Sequence, residues 1–305
     1  MAYKDTKARI AEMEMEEVLR SKSLTEQALR RLWRDKLTMA AIILMAIIAI
    51  LSFMAPVITD ILNVDPNTTD AANSKFLPIG AEGHLLGTDD LGRDHLARLL
   101  YAGQVSMMIG LLSGLLSLAI GVTLGIVTGY FGGIVDDVIN WIITTLNSIP
   151  GLVLLIVISA VFQPGPVTLI LVLAFLTWTV TTRLVRGETF SIRSREYIVG
   201  AQAMGASNLR IMIVHILPNV FSLTIITLAI NIGNVILIES ALSFLGLGVQ
   251  APTATWGNML SKSRNFFKNA PHLVILPGIL ITVVVLCLYI IGDGLRDAFD
   301  PTSTD

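Results

Sequence analysis

Six runs of mostly apolar residues alternate with stretches that hold nearly all of the charge. They are Leu37–Ile58, Val105–Phe131, Val138–Phe162, Pro166–Thr182, Val220–Phe244 and Leu273–Ile291. A helix needs about 20 such residues to cross a bilayer. The pattern therefore predicts an all-α integral membrane protein with six transmembrane helices, the fourth short and running on past the membrane. The expected organisation is a tail with an interfacial helix over 1–36, a first span over 37–58 and an external loop over 59–104. A five-helix core follows over 105–291, holding a cytosolic loop over 183–219, and then a C-terminal tail over 292–305. In the first tail, Ser23 and Glu26 have the spacing of a capping box. Leu24, Ala28, Leu29, Leu32 and Trp33 then share a face, as in a helix lying on a membrane surface.

Charge sets the orientation. Lys and Arg number nine in the N-terminal tail, five over 183–218 and one in the C-terminal tail, against three in each of 59–104 and 245–272. The excess of basic residues marks the cytoplasmic side, so both tails and the 183–218 segment are expected in the cytosol. Composition agrees with a membrane protein: 53% of the 305 residues are hydrophobic and 14% charged, with a mean hydropathy of +0.73. A net charge of −2 argues against nucleic acid as a partner. The single cysteine, Cys287, lies in an apolar run and forms no disulfide within the chain.

The polar residues inside or between the spans are the candidates for function. Glu239 is the only ionisable residue within a predicted span, and a carboxylate in hydrocarbon needs a partner or water. With Ser240 it is expected either to line or gate a translocation path or to anchor helices by hydrogen bonds. Asn147 and Ser148, with Thr144 and Thr145, precede Pro150 in the third span and face the same alternatives. Gly110, Gly114, Gly121, Gly125 and Gly129 stripe the second span, the last three at intervals of four. Small residues allow close helix approach, either within the chain or against a second membrane subunit. Asp89, Asp90, Asp94 and His95 have no standard calcium or zinc spacing, and no metal site is expected. His84, His215 and His272 are scattered, and none is assigned a ligand role.

The most informative stretch is Glu196–Asn219, EYIVGAQAMGASNLRIMIVHILPN. Tyr197, Ile198, Ala201 and Met204 read as one helical face, Gly205 interrupts, and Ser207 can cap a second helix. Pro218 and Asn219 read as a turn into the fifth span. So short an amphipathic pair is marginal alone and suits docking on a partner. The segment resembles the cytoplasmic coupling loop of bacterial ABC importer permeases, whose pattern is E-A-A, three residues, glycine, then leucine–proline. Here the glycine is Gly205 and the ending is Leu217–Pro218. The triplet falls on Val199–Gly200–Ala201, so its glutamate is absent, and Glu196 stands one turn earlier. The stretches LGTDDLGRDHLARLLYAG, ESALSFLGLGVQAPTATWGNML and GDGLRDAFDP resemble the dipeptide/oligopeptide/nickel branch of the family, most of all its C-type subunit.

That resemblance implies a type I importer permease in the bacterial cytoplasmic membrane. Its coupling residues would be Glu196, Gly200, Ala201, Met204, Gly205, Ala206, Ser207, Leu217 and Pro218. Its implied partners are a second homologous permease forming a heterodimer, two ABC ATPase subunits or domains carrying ATP and Mg2+, and an external solute-binding protein. The chain has no GxxxxGK[ST] motif, so it has no phosphate loop of its own and no cofactor is expected on it. It reads as a transport subunit and not an enzyme. The solute is left open among peptides, glutathione-like peptides, nickel chelates and sugars. The alternative, an ion-gradient-driven secondary transporter, normally shows internal repeats and midplane ion ligands. Neither is apparent in the sequence.

Overall fold

The computed structural model describes residues 24–70, 74–162 and 165–299, and the Ser23 cap lies outside them. In chain order the helices are α1 Leu24–Arg34, α2 Lys36–Phe53, α3 Ala55–Ile61 and α4 His95–Phe131. They continue with α5 Gly133–Asn147, α6 Gly151–Val161, α7 Pro166–Arg193, α8 Glu196–Ala203, α9 Asn208–Phe244, α10 Trp256–Ser263 and α11 His272–Phe299. Five of them, α2, α4, α7, α9 and α11, are long and apolar enough to cross a membrane, and α5–α6 forms a pair bent by 82°. The described chain is thus an all-helical membrane protein with five candidate spans, or six if the bent pair counts as one. One end of the bundle carries the connection between α7 and α9 (the loop face). The other carries 62–94 and 245–271 (the cap face).

Four features differ from the sequence reading. The predicted third span does not run straight through. Asn147 closes α5, Pro150 precedes α6, and the chain turns sharply between them. Proline removes an amide donor and clashes with the preceding turn, so it starts a new helix here instead of continuing the old one. The second predicted span begins earlier, at His95, because Asp94 caps it. The Asp94 carboxylate accepts from the Ala97 amide at 2.7 Å. The C-terminal tail is helical to Phe299, with Gly292 and Gly294 packed against Ile230 and Thr38. Finally, Pro218 marks no turn. The helix passes through it, with the preceding residues Ile211–Ile216 wound as a π-helix. The wider turn accommodates the ring, and the Asn219 side chain donates to the His215 carbonyl at 2.6 Å.

Three clusters make the interior. One, around Trp256, joins α4, α9, α10 and α11 near the cap face. A second joins α4, α6, α7 and α9. The third, Ile126, Tyr130, Val185, Ile192, Ile198, Ile211, Ile216 and Val220, lies under the loop face. The outer faces of the spans stay apolar and uncovered, as a surface meant for lipid must be.

Candidate functional site: the loop face and the cap clamp

The glycine stripe is filled by the chain's own helices. A Cβ on Gly121, Gly125 or Gly129 would come within 2.5, 2.7 and 2.6 Å of Thr181, Val185 and Thr189 Cβ on α7. One on Gly110 or Gly114 would strike Ile236 or Ile232 on α9, at 2.6 and 2.8 Å. The stripe is therefore no surface for a second subunit. Three glycines seat α7 and two seat α9, because only a bare Cα allows backbones this close.

That packing carries α4 and α7 side by side to the loop face, where polar contacts fix the loop. Tyr130, at the end of α4, donates its hydroxyl to Asn208 Oδ1 at 2.9 Å and accepts from Gln202 Nε2 at 3.4 Å. Arg193 closes α7 by donating to the Tyr130 carbonyl at 2.8 Å. Asp136 on α5 pairs with Arg186 on α7, and Asn140 donates to the same carboxylate at 2.6 Å. Apart from Asn140 and Asp136, one turn apart on α5, these partners are distant in sequence, so no local pattern announced them.

Within the loop, α8 ends at Ala203. Gly205 reverses the chain with a φ of +83°, and Ser207 caps α9 by accepting from the Arg210 amide at 3.4 Å. The face expected from spacing divides. Ile198 and Ala201 are buried against α7 and α9, together with Ile211 and Ile216. Tyr197 and Met204 lie with Gly200 on the opposite side and are exposed, Met204 to 85%. Leu209, Ile213 and Val214 of α9 are also exposed. Glu196 opens α8 and is exposed, where a carboxylate complements the helix dipole. Ala206 is half-buried below the turn, and Leu217 and Pro218 start the regular part of α9. The loop thus has an inner apolar face anchoring it and an outer apolar face with no cover among the described residues.

At the cap face, Glu239 is fully buried. Its carboxylate accepts from Ser243 Oγ at 2.7 Å and from Ser106 Oγ at 3.4 Å. Ser106 Oγ in turn accepts from the Trp256 amide at 3.2 Å, and Trp256 Nε1 donates to the Leu99 carbonyl at 3.1 Å. Thr255 and Asn258 form a capping box at the start of α10, and Asn258 also holds the Val249 and Thr253 carbonyls. Glu239 is therefore the centre of a clamp joining α4, α9 and α10, and it lines no open passage in this conformation. Ser240 is buried beside it with its hydroxyl unpartnered. Asn147 and Ser148 are exposed at the α5–α6 bend, where Asn147 accepts from Thr179 Oγ1 at 3.5 Å.

The acidic run has structural work in the cap. Asp89 accepts from the Leu91 and Arg93 amides and from Arg93 Nε at 2.8 Å, with Arg98 Nε 3.5 Å away. His84 Nδ1 lies 2.8 Å from Asp94. His95 and His272 meet edge to face. Among the described residues, no group of three or more His, Cys, Asp or Glu is arranged to hold a metal ion.

The geometry is that of a multi-span helical membrane protein with an anchored, outward-apolar loop on one face. Residues 121–304 match the family described as binding-protein-dependent transport system inner membrane component. Residues 23–78 match the N-terminal TM domain of oligopeptide transport permease C. The chain is 39% identical over 280 residues to the oligopeptide transport system permease protein OppC of Salmonella typhimurium, covering 92% of each. It is 36% identical over 275 residues to the dipeptide transport system permease protein DppC of Alkalihalophilus pseudofirmus, covering 90% of this chain and 89% of that one. With OppC of Bacillus subtilis it shares 33% over 282 residues, 92% and 91% of the two chains.

The chain belongs to the family of binding-protein-dependent transport system inner membrane components. It is a multi-pass permease subunit of the bacterial inner membrane, without an ATPase domain of its own.

Proposed function

We propose that this chain forms half of the translocation path of an ATP-driven peptide importer and receives its driving force through the 196–218 loop. The observation that carries the coupling is the loop's division into two apolar faces. Ile198, Ala201, Ile211 and Ile216 bolt it to the bundle, while Tyr197, Met204, Leu209 and Ile213 face outward. Exposed apolar side chains on short helices suit a groove on a partner subunit. The distribution of basic residues favours a cytosolic loop face with both tails on that side, which is where an ATPase pair binds ATP and Mg2+. Peptide as the solute is supported by the oligopeptide and dipeptide systems of the relatives.

The full assembly would hold a second homologous permease, two ATPase domains and an external solute-binding protein. In this reading, ATP binding draws the ATPase domains together and their grooves move the loop. The path then switches from inward-open to outward-open, the binding protein releases its solute, and hydrolysis resets the state.

Gly205 tests the coupling. Its φ of +83° costs most side chains roughly 1–2 kcal/mol, although open space surrounds it. Asn tolerates this conformation, while Val and Trp do not. Uptake of a labelled peptide into cells should survive Gly205→Asn and be lost in Gly205→Val and Gly205→Trp, with membrane insertion equal in all three. Normal uptake by Gly205→Trp would overturn the reading.

A further inference from the structure

The first helix presents a face that neither the bundle nor the coupling loop uses. Helix α1 packs on α11, with Ala28 buried and Leu32 partly so. Leu29 and Trp33, one turn apart, point outward at 56% and 66% exposure. Arg30 and Arg34, each one residue further on and so about 100° round the helix, are also exposed. The outward side is therefore split lengthwise into an apolar edge and a basic edge.

Asp35 adopts extended backbone between α1 and α2, so α1 does not continue the axis of α2. The exposed Lys36 follows at once. Trp33 stands four residues ahead of Leu37, the first of Leu37, Leu44 and Leu51, which recur every seven residues along the uncovered side of α2. The apolar edge of α1 is thus continuous in sequence with a surface that belongs to lipid. An apolar edge beside a row of arginines, at the end of a span, matches the boundary between acyl chains and phosphates.

We propose that the outward face of α1 binds anionic phospholipid headgroups. Leu29 and Trp33 sit among the first acyl carbons, and Arg30, Arg34 and Lys36 meet the headgroup phosphates. This rests on the reading that α1 lies on the cytosolic membrane surface, and adds the class of lipid it selects. Near an anionic bilayer, each basic residue contributes roughly a fivefold gain in affinity.

The test uses the complete transporter in bilayer nanodiscs, with a bimane fluorophore on Leu29→Cys. The native Cys287 is buried and stays unlabelled. Brominated phosphatidylglycerol and brominated phosphatidylcholine are compared as quenchers, each at the same small fraction in a phosphatidylcholine background. The proposal expects phosphatidylglycerol to quench in clear excess, on the order of tenfold or more for three basic residues together. Arg34→Gln should reduce the excess several-fold, and Arg30→Gln/Arg34→Gln/Lys36→Gln should abolish it. Equal quenching by both lipids would overturn the anionic site while leaving α1 on the membrane. Quenching by neither would remove the surface reading as well, and would assign the face to a protein partner.

Discussion

Replacing Glu239 separates a clamp from a path-lining group. Two buried hydroxyls, of Ser106 and Ser243, donate to its carboxylate, and Ser106 also receives the Trp256 amide that begins α10. Glu239→Ala leaves both hydroxyls without an acceptor in a region that water does not reach. Each unsatisfied group costs about 1–3 kcal/mol, so the loss is about 2–6 kcal/mol before any cavity is counted. Glu239→Gln keeps one acceptor oxygen and turns an amide N–H toward the other serine, whose oxygen can accept it. Its cost should be about 1 kcal/mol. Thermal unfolding of the transporter in nanodiscs, with protease nicking of 245–271 as a local probe, measures both. The clamp requires Ala to fall well below Gln and to expose the cap first. Variants equal to within about 0.5 kcal/mol would refute it. A Gln variant that is as stable as the parent but transports nothing would assign the carboxylate to the path instead.

The other predictions are local. Gly125→Ala should destabilise the α4–α7 pair by about 1–3 kcal/mol, because its Cβ meets Val185 Cβ at 2.7 Å. Gly200→Ala, inside α8 with nothing within 4 Å of the added Cβ, should instead raise stability by about 0.5–1 kcal/mol. Asp35→Ala should cost about 0.5–2 kcal/mol by removing the α2 cap, in which the carboxylate accepts from the Leu37 amide at 3.0 Å. The Thr38 hydroxyl, then the Leu37 and Thr38 amides, lower the Asp35 pKa. The carboxylate's contribution is therefore present above its unfolded value near pH 4 and lost as pH falls through the lower folded value. The Asp35→Ala deficit should shrink below about pH 4 in an unfolding series against pH.

Hydropathy made five spans legible, because lipid demands long apolar helices. The Gly205 turn and the Ser207 cap were also readable, since each rests on one residue type in one local conformation. The failures share a cause. The α5–α6 bend was signalled by Asn147, Ser148 and Pro150, but the apolar run on both sides outweighed them. Pro218 suggested a stop, and a π-turn with a side-chain bond from Asn219 let the helix through. Tyr197 stands three residues before Gly200 just as Ile198 stands three before Ala201, and only the position of α7 and α9 decides which pair is buried. Tyr130 and Trp256, which tie the loop and the cap to the bundle, bond to residues about 70 to 160 positions away, where no sequence period reaches.

These contacts bear on how a push at the loop could reach the opposite face. Coupling over such a distance needs elements that move together. The loop is held to α4 at Tyr130 and to the ends of α7 and α9 through the Ile198, Ile211 and Ile216 cluster. From there α4 and α7 run locked at Gly129, Gly125 and Gly121, and α4 and α9 at Gly114 and Gly110. Just beyond Gly110, Ser106 ties α4 to Glu239 and to Trp256 of the cap. Bare backbone contacts leave little slack, so sliding one helix past another would need several close contacts to open at once. The bent α5–α6 pair is held less extensively, by Asp136–Arg186 at the loop face and by Leu155 in the core. Motion delivered to the loop should therefore carry α4, α7 and α9 as one body, with the α5–α6 bend as the place where the bundle gives.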